Sequence, residues 1–340
     1  MKKTISFSLC SILMLLLLYS CGTTGDYPMS DHYNGKVFKN PNGLGPHGFF
    51  EVLKWKMSFS GEKWPSKFEL KYPEYTPPLK VEKDLSITFI NHVTFLIQTE
   101  GLNILTDPVY SDRTSPVGFA GPVAIHKPGI DFDKLPPIDL VVISHNHYDH
   151  MDRETIKRLE QKFSPQFIVP LNNGELIKTF GAKKIKELDW WESSIFLDKL
   201  KVTLTPAQHW SSRTPFDRNK SLWGGFFLET PRDKIFFAGD TGYSDHFKEI
   251  AKKLGAPSLA LLPIGAYAPR WFMKTMHMNP EDAVLAHLDL ESKNSIGMHF
   301  GTFQLTDEAY DTPEKDLSMA LEKLKVKNFK TLKPGENVVY

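Results

Sequence analysis

The stretch that decides the fold is Ser144-His145-Asn146-His147-Tyr148-Asp149-His150. It follows an almost continuous apolar segment over 138–143, which predicts a buried strand. Four metal-capable side chains therefore lie within six positions at a strand end: His145, His147, Asp149 and His150. Imidazole and carboxylate ligands without a thiolate suit zinc, and also iron or manganese. Because a turn aims neighbouring residues in different directions, these ligands can serve two ions.

Three further ligand candidates follow other predicted strands. His209, Asp240 and His299 come after or at the ends of apolar segments at 202–204, 235–237 and 295–297. Strand ends are where layered α/β folds usually place active-site groups. Each residue alone has a simpler explanation, and Asp240 could merely start a turn. Together with the first motif, they indicate one shared site.

From Ser86 onwards the chain alternates predicted strands with helices. Asp152 can cap a helix in which Ile156, Leu159 and Phe163 recur at helical spacing. Two more helices are predicted over 247–254 and 280–287. The remaining strands are predicted over 86–90, 94–97, 102–105, 167–169 and 222–228. This interleaving indicates a layered α/β domain over 86–340.

The N-terminus has the composition of a secretion signal. Lys2 and Lys3 precede an apolar run, which ends in Leu18-Tyr19-Ser20-Cys21. The run is shorter than the roughly 20 apolar residues that a membrane span needs. We predict a signal peptide over 1–20 with a bacterial lipobox, so that Cys21 is lipidated and anchors the protein in the cell envelope, at the outer membrane or periplasmic face. An uncleaved anchor helix is the alternative.

Residues 21–85 are predicted to be a tether and an N-terminal packing segment, not a separate domain. This part is rich in Gly, Pro, Lys and aromatic residues and has no sustained periodicity. An apolar cluster from Phe49 to Trp55 indicates a short helix. Four prolines within 64–80 predict an extended chain there.

Composition excludes several classes of protein. Hydrophobic residues make up 41% and charged residues 24% of the 340 positions, which argues against wholesale disorder and a polytopic membrane protein. The 41 Lys and Arg balance 40 Asp and Glu, so no nucleic-acid partner is expected. Cys10 and Cys21 are the only cysteines, which excludes a disulfide scaffold and a thiolate zinc finger.

The ordered motifs resemble the N-acyl-phosphatidylethanolamine-hydrolysing phospholipase D family of the metallo-β-lactamase fold superfamily, over roughly residues 85–335. The His-x-His-x-Asp-His pattern alone is typical of the whole superfamily. The narrower markers are Leu105-Thr106-Asp107-Pro108 and the segments 135–139, 187–192, 206–210, 237–243, 264–267, 270–274, 277–281 and 299–303. This chain departs from the family pattern with Asn91-His92 in place of Gly-His and Phe300 in place of Trp.

The resemblance implies a four-layer αββα sandwich with two zinc ions. One zinc would take His145, His147 and His209. The other would take Asp149, His150 and His299, with Asp240 and a water or hydroxide bridging both. The candidate catalytic residues are Asp149, Asp240 and His277, and the candidate substrate-binding residues are Tyr267, Arg270 and His277.

The implied reaction is attack of the bridging hydroxide on a phosphodiester, which would release N-acylethanolamine and leave phosphatidic acid. His277 would contact the phosphate or protonate the leaving oxygen, unless it is only a helix-start histidine. Arg270 and Lys274 would attract anionic groups, unless they form a solvated basic face. The expected partners are a phospholipid substrate and the membrane, and a homodimer stays open. The alternatives are a same-fold hydrolase of a lactone or soluble ester or phosphodiester, and a non-catalytic metal-binding lipoprotein.

Overall fold

A computed structural model describes residues 27–58, 61–65 and 75–340 of the chain. The predicted signal peptide over 1–20 and the lipidation site Cys21 lie outside these residues, as does part of the segment predicted to be extended. Within the described ranges, no helix is both long and apolar enough to span a membrane.

Two mixed β-sheets form the centre of the described fold. In chain order the strands are β1 (Ser86–Asn91), β2 (Thr94–Thr99), β3 (Leu102–Thr106), β4 (Leu140–Val142), β5 (Gln166–Pro170), β6 (Lys184–Leu188), β7 (Ser193–Phe196), β8 (Leu200–Thr205), β9 (Gly225–Glu229), β10 (Lys234–Phe237), β11 (Leu259–Pro263), β12 (Ser295–Met298), β13 (Phe329–Lys330) and β14 (Asn337–Val339). One sheet has the order β14-β1-β2-β3-β4-β5-β6 and the other β13-β12-β11-β10-β9-β8-β7. Strands β3 to β6 run parallel, and so do β10 to β13.

Helices flank the two sheets. They are α1 (Phe49–Ser58), α2 (Arg153–Phe163), α3 (Gly174–Thr179), α4 (His246–Leu254), α5 (Arg270–Met273), α6 (Pro280–Asp289) and α7 (Thr312–Leu324). Asp152 caps α2 by accepting a hydrogen bond from the Glu154 amide, as the sequence predicts. Asn279 forms a capping box with Asp282 at the start of α6, where Pro280 occupies the first turn.

The core is divided by the sheets into layers. Ile156 and Leu159 of α2 pack with Val141 and Phe167 on the outer face of the first sheet. A larger, aromatic-rich cluster joins the facing sides of both sheets and extends to α6 and α7. The predicted αββα sandwich is therefore confirmed.

Two strands begin later than the sequence predicts. The segment 138–143 is a strand only from Leu140 to Val142, and the segment 222–228 only from Gly225. The Leu222 amide donates instead to the Leu171 carbonyl, and the Gly224 amide donates to the Ser144 carbonyl. This last bond links the second sheet to the loop that carries the histidine motif.

Candidate metal centre

The seven predicted ligands meet at one edge of the sandwich. Four of them lie in the loop after β4, and the other three follow β8, β10 and β12. Six are almost fully buried, and His147 is partly buried. The strand-end pattern in the sequence thus corresponds to one cluster in space.

Three histidines form the first group of ligand atoms. Nε2 of His145 lies 2.8 Å from Nδ1 of His147, and Nε2 of His209 lies 3.3 Å from that same nitrogen. Nδ1 of His209 faces the Met276 carbonyl at 3.1 Å, which leaves Nε2 free to point into the cluster. A hydrogen-bond partner on the ring nitrogen that does not face the metal fixes the orientation of a metal-binding imidazole.

The second group contains Asp149, His150 and His299, together with His92. Oδ2 of Asp149 lies 3.4 Å from Nε2 of His150, 3.3 Å from Nε2 of His299 and 3.2 Å from Nε2 of His92. His92 was not among the predicted ligands. It lies in the turn between β1 and β2. The two polar residues Asn91 and His92 interrupt an apolar run, and this interruption is the sequence feature that could have identified it.

Asp240 lies between the two groups. Its Oδ2 is 3.2 Å from Nε2 of both His150 and His299 and 3.8 Å from Nε2 of His209. Asp240 is therefore close to ligand atoms of both groups.

Burial and neighbouring charges shift the pKa values of the clustered side chains in different directions. Burial lowers the pKa of His145, His147 and His209, and neighbouring imidazoles reinforce the effect at His145; the pKa of His147 falls to about 4. Burial would raise the pKa of Asp240, but His299 and His150 hold it well below its usual range. Neutral imidazoles and ionised carboxylates are the forms that bind metals. Burial would also lower the pKa of His150 and His299, but Asp240 and Asp149 raise it, so these two rings would release a proton on binding a cation.

The donor set fits a pair of metal ions. Nε2 of His150, Nε2 of His299 and Oδ1 of Asp240 are buried, and none has a hydrogen bond of acceptable geometry to another described residue. Buried polar atoms normally have hydrogen-bond partners, so such a concentration of unpaired donors and acceptors fits a cation-binding site. The ligand set supports a dinuclear metal site, and its nitrogen and oxygen atoms are compatible with zinc, iron or manganese.

Backbone geometry places two of these ligands. His299 adopts a left-handed conformation with φ of 62°, and Gly239, directly before Asp240, has φ of 60°. A Cβ at Gly265 would lie 2.1 Å from the His299 carbonyl oxygen, so only glycine permits this approach. Strain of this kind concentrates at functional sites.

A partly buried arginine, Arg213, contacts the histidine loop from the side away from the cluster. Nη1 of Arg213 donates to the carbonyls of Asn146 at 2.9 Å and Met151 at 2.8 Å, on either side of the ligands Asp149 and His150. Its guanidinium carbon also lies 3.9 Å from the centre of the Tyr148 ring. Sequence reasoning missed this contact because Arg213 lies more than 60 positions away.

The three predicted substrate-binding residues are placed differently. His277 lies beside the cluster, with Nδ1 3.9 Å from Oδ2 of Asp240. Arg270 is paired with Asp282 at 2.6 Å and also donates to the His277 carbonyl. The hydroxyl of Tyr267 donates to Asp316 at 2.5 Å. His277 alone among these three lines the cavity described next.

A cavity of about 330 Å³ opens over the predicted metal ligands. His147, Asp149, Asp240, His277 and His299 contribute its polar side. The rest is mainly apolar and includes Val52, Trp55, Phe272, Met273, Met276 and Leu305. The indole of Trp55 donates to Asp307 at 2.9 Å and stacks on Phe272, so part of the N-terminal segment forms a wall of the site.

The fold and the site define a class of protein. A profile described as the Beta-lactamase superfamily domain matches residues 102–300. A solved metallo hydrolase from the archaeon Ignicoccus hospitalis superposes with a TM-score of 0.58 at 23% identity, covering 76% of this chain and 99% of that one. A diiron β-hydroxylase from Streptomyces venezuelae gives 0.55 at 19% identity, covering 77% and 54%. These likenesses show the fold, and the chain belongs to this superfamily.

Sequence similarity identifies the family within that class. N-acyl-phosphatidylethanolamine-hydrolyzing phospholipase D 1 of Caenorhabditis elegans is 39% identical over 331 residues, covering 89% of this chain and 92% of the relative. The chain belongs to the N-acyl-phosphatidylethanolamine-hydrolysing phospholipase D family. It is a metal-dependent hydrolase, as the sequence predicts.

Proposed function

We propose that the protein is a zinc-dependent phosphodiester hydrolase that cleaves N-acyl-phosphatidylethanolamine into N-acylethanolamine and phosphatidic acid. The observation that carries this proposal is the cluster of seven metal ligands at one side of a mainly apolar cavity. Metal ions can promote attack on a phosphodiester, and an apolar cavity can accommodate acyl chains. The Caenorhabditis elegans relative bears the name of this activity.

Two cations held by these ligands would activate a water molecule for attack on phosphorus and stabilise the charge on the phosphoryl oxygens. His145, His147 and His209 would hold one cation, and Asp149, His150 and His299 the other, with Asp240 shared. Hydrolysis breaks the bond between phosphorus and the oxygen that becomes the hydroxyl group of N-acylethanolamine. The attacking oxygen stays on phosphatidic acid, and the leaving alcohol takes a proton.

His277 is the residue of this chain placed to contact the reacting group. It lines the cavity beside Asp240. Burial lowers the pKa of its imidazole to about 4. Nδ1 of His277 is buried and makes no hydrogen bond with another described residue, so it is available to a phosphoryl or leaving oxygen. We therefore assign His277 to substrate positioning.

The surface beside the cavity supports a lipid substrate. Helix α1 lines the cavity with Val52 and Trp55, while its Phe49, Phe50 and Met57 are largely exposed. Exposed aromatic groups next to an apolar cavity suit a bilayer interface. Attachment of Cys21 to lipid in the cell envelope would hold this face near its substrate, and that localisation is part of the proposal.

Lipid vesicles provide the direct test. N-acyl-phosphatidylethanolamine in vesicles is incubated with zinc-loaded protein, and mass spectrometry identifies the products. We expect N-acylethanolamine and phosphatidic acid in equal amounts, and strongly reduced turnover by His145→Ala and Asp240→Asn. Release of a free fatty acid instead, or turnover only of soluble lactones and esters, would contradict the proposal.

The identity of the metal has its own test. Metal analysis of protein purified without added metal is compared with the activity regained after chelation and addition of zinc, iron or manganese. We expect two zinc ions per chain and best recovery with zinc. Full activity with iron and none with zinc would overturn the zinc assignment while leaving the hydrolase assignment intact.

A further inference from the structure

One cation lines the cavity without an acidic partner. Among the described residues, Arg218 is the one Lys or Arg that contributes to the cavity wall; it is exposed, and none of the ion pairs between described residues includes it. Its Nη2 donates to the His47 carbonyl at 3.2 Å. Four further nitrogen-bound hydrogens of the guanidinium remain for a ligand.

Arg218 is joined to the metal centre through one aromatic ring. Its guanidinium carbon lies 5.3 Å from the centre of the Trp210 ring. Trp210 also contacts two predicted metal ligands, His147 at 4.5 Å and His209 at 6.4 Å between ring centroids. The indole therefore lies between the guanidinium and the predicted ligand His147, and its ring face attracts the positive charge.

The other basic candidates do not reach this cavity. Arg270 is held by Asp282 and the His277 carbonyl, and neither it nor Lys274 contributes to the wall. The polar side of the cavity contains the carboxylates Asp149 and Asp240. Cations held by these carboxylates would stabilise the phosphoryl oxygens next to them, and Arg218 contributes a further positive charge from the same cavity wall.

We propose that Arg218 binds the anionic phosphodiester of the substrate and selects it over neutral esters. This inference rests on the proposed function and deepens it. A planar guanidinium can donate two parallel hydrogen bonds to a phosphate, which a neutral carboxylic ester cannot accept with the same charge-assisted strength. Arg218 thus determines specificity and acts on binding, whereas the metal ligands act on the chemical step.

Kinetics in neutral detergent micelles, with N-acyl-phosphatidylethanolamine as the sole phospholipid, test this role. Arg218→Gln should raise KM about tenfold and change kcat by no more than about threefold. The KM of Arg218→Lys should lie between those of the wild type and Arg218→Gln, because an ammonium group keeps the positive charge but cannot donate two parallel hydrogen bonds. Lys252→Gln removes an exposed charge from α4 and is the matched control.

Product inhibition separates an anion site from a packing role. In Arg218→Gln, inhibition by phosphatidic acid should weaken about as much as KM rises, while inhibition by neutral N-acylethanolamine stays at the wild-type value. Equal weakening of both products, or an unchanged KM, would overturn the proposal. A defect confined to phospholipid vesicles would also overturn it, since Arg218 would then bind neighbouring headgroups. If the wild type does not hydrolyse the diester at all, the proposed function is wrong. The role of Arg218 would still be tested by comparing how tightly the wild type and Arg218→Gln bind phosphatidic acid.

Discussion

Oδ2 of Asp107 lies 2.6 Å from Nδ1 of His150, and neither side chain is exposed to solvent. Asp107 also accepts hydrogen bonds from the amide and hydroxyl of Ser144, the first residue of the histidine motif. One carboxylate after β3 therefore holds both ends of the ligand loop. By occupying Nδ1 of His150, it directs Nε2 toward Asp149 and Asp240.

Asp107→Asn should weaken metal binding without changing any direct ligand. The amide can still contact Ser144, but it loses the negative charge that supports the His150 imidazole. We expect metal affinity to fall by about 10–100-fold. Competition with a chelator of known affinity measures this change. Asp245→Asn, at an almost fully exposed carboxylate, is the control and should bind metal like the wild type.

Arg213→Lys should loosen the ligand loop. An ammonium cannot reproduce both donated hydrogen bonds to Asn146 and Met151 together with the stacking on Tyr148. Each buried carbonyl left unsatisfied costs about 1–3 kcal/mol. We expect a lower free energy of unfolding in urea and weaker metal retention. Unchanged values for both would show that water replaces the guanidinium.

Removal of metal should destabilise the native protein. The bound ions stabilise only the folded chain, since its ligands come from four separate loops. At a free metal concentration 100 times Kd, the stabilisation amounts to about 2.7 kcal/mol per site. Thermal unfolding after chelation should therefore occur at a lower Tm, and two equivalents of zinc should restore it. Identical melting curves before and after chelation would contradict a folded-state metal site.

The layered fold and the position of the site follow from local sequence patterns. Buried strands read as apolar runs, and polar residues at their ends are conspicuous, as at His209 and Asp240. His92 is also a polar residue at a strand end, but the turn between β1 and β2 is so short that the sequence does not mark it as the end of a strand. The predicted ligands could therefore be found without knowing how the strands pair.

Elements without a strong pattern could not be predicted. Strand β6 (Lys184–Leu188) is an edge strand with charged residues, and β11 (Leu259–Pro263) has no β-branched residue to favour a strand. Both depend on pairing with neighbours in the sheet. The role of Trp55 in the cavity wall depends on Asp307, about 250 positions away, which no local pattern can reveal.

The N-terminal segment is attached through a histidine held by two carboxylates. Nε2 of His32 lies 2.7 Å from Asp189, its Nδ1 lies 2.6 Å from Asp31, and its ring stacks on Trp190. Burial alone would lower the pKa of His32, but the hydrogen bonds to Asp189 and Asp31 outweigh it, so the pKa is raised above 6.5. The charged imidazole is thus favoured in the folded state.

This raised pKa predicts how stability depends on pH. The contribution of His32 should be fully present below its unfolded pKa of 6.5 and lost as the pH rises through the higher folded value. The difference in free energy of unfolding between wild type and His32→Gln should therefore shrink above pH 6.5 in urea titrations. His287 supplies a control of opposite sign, because burial lowers its pKa. The wild type should lose stability relative to His287→Gln as the pH falls through 6.5, and a parallel trend for both variants would contradict the assignment of His32.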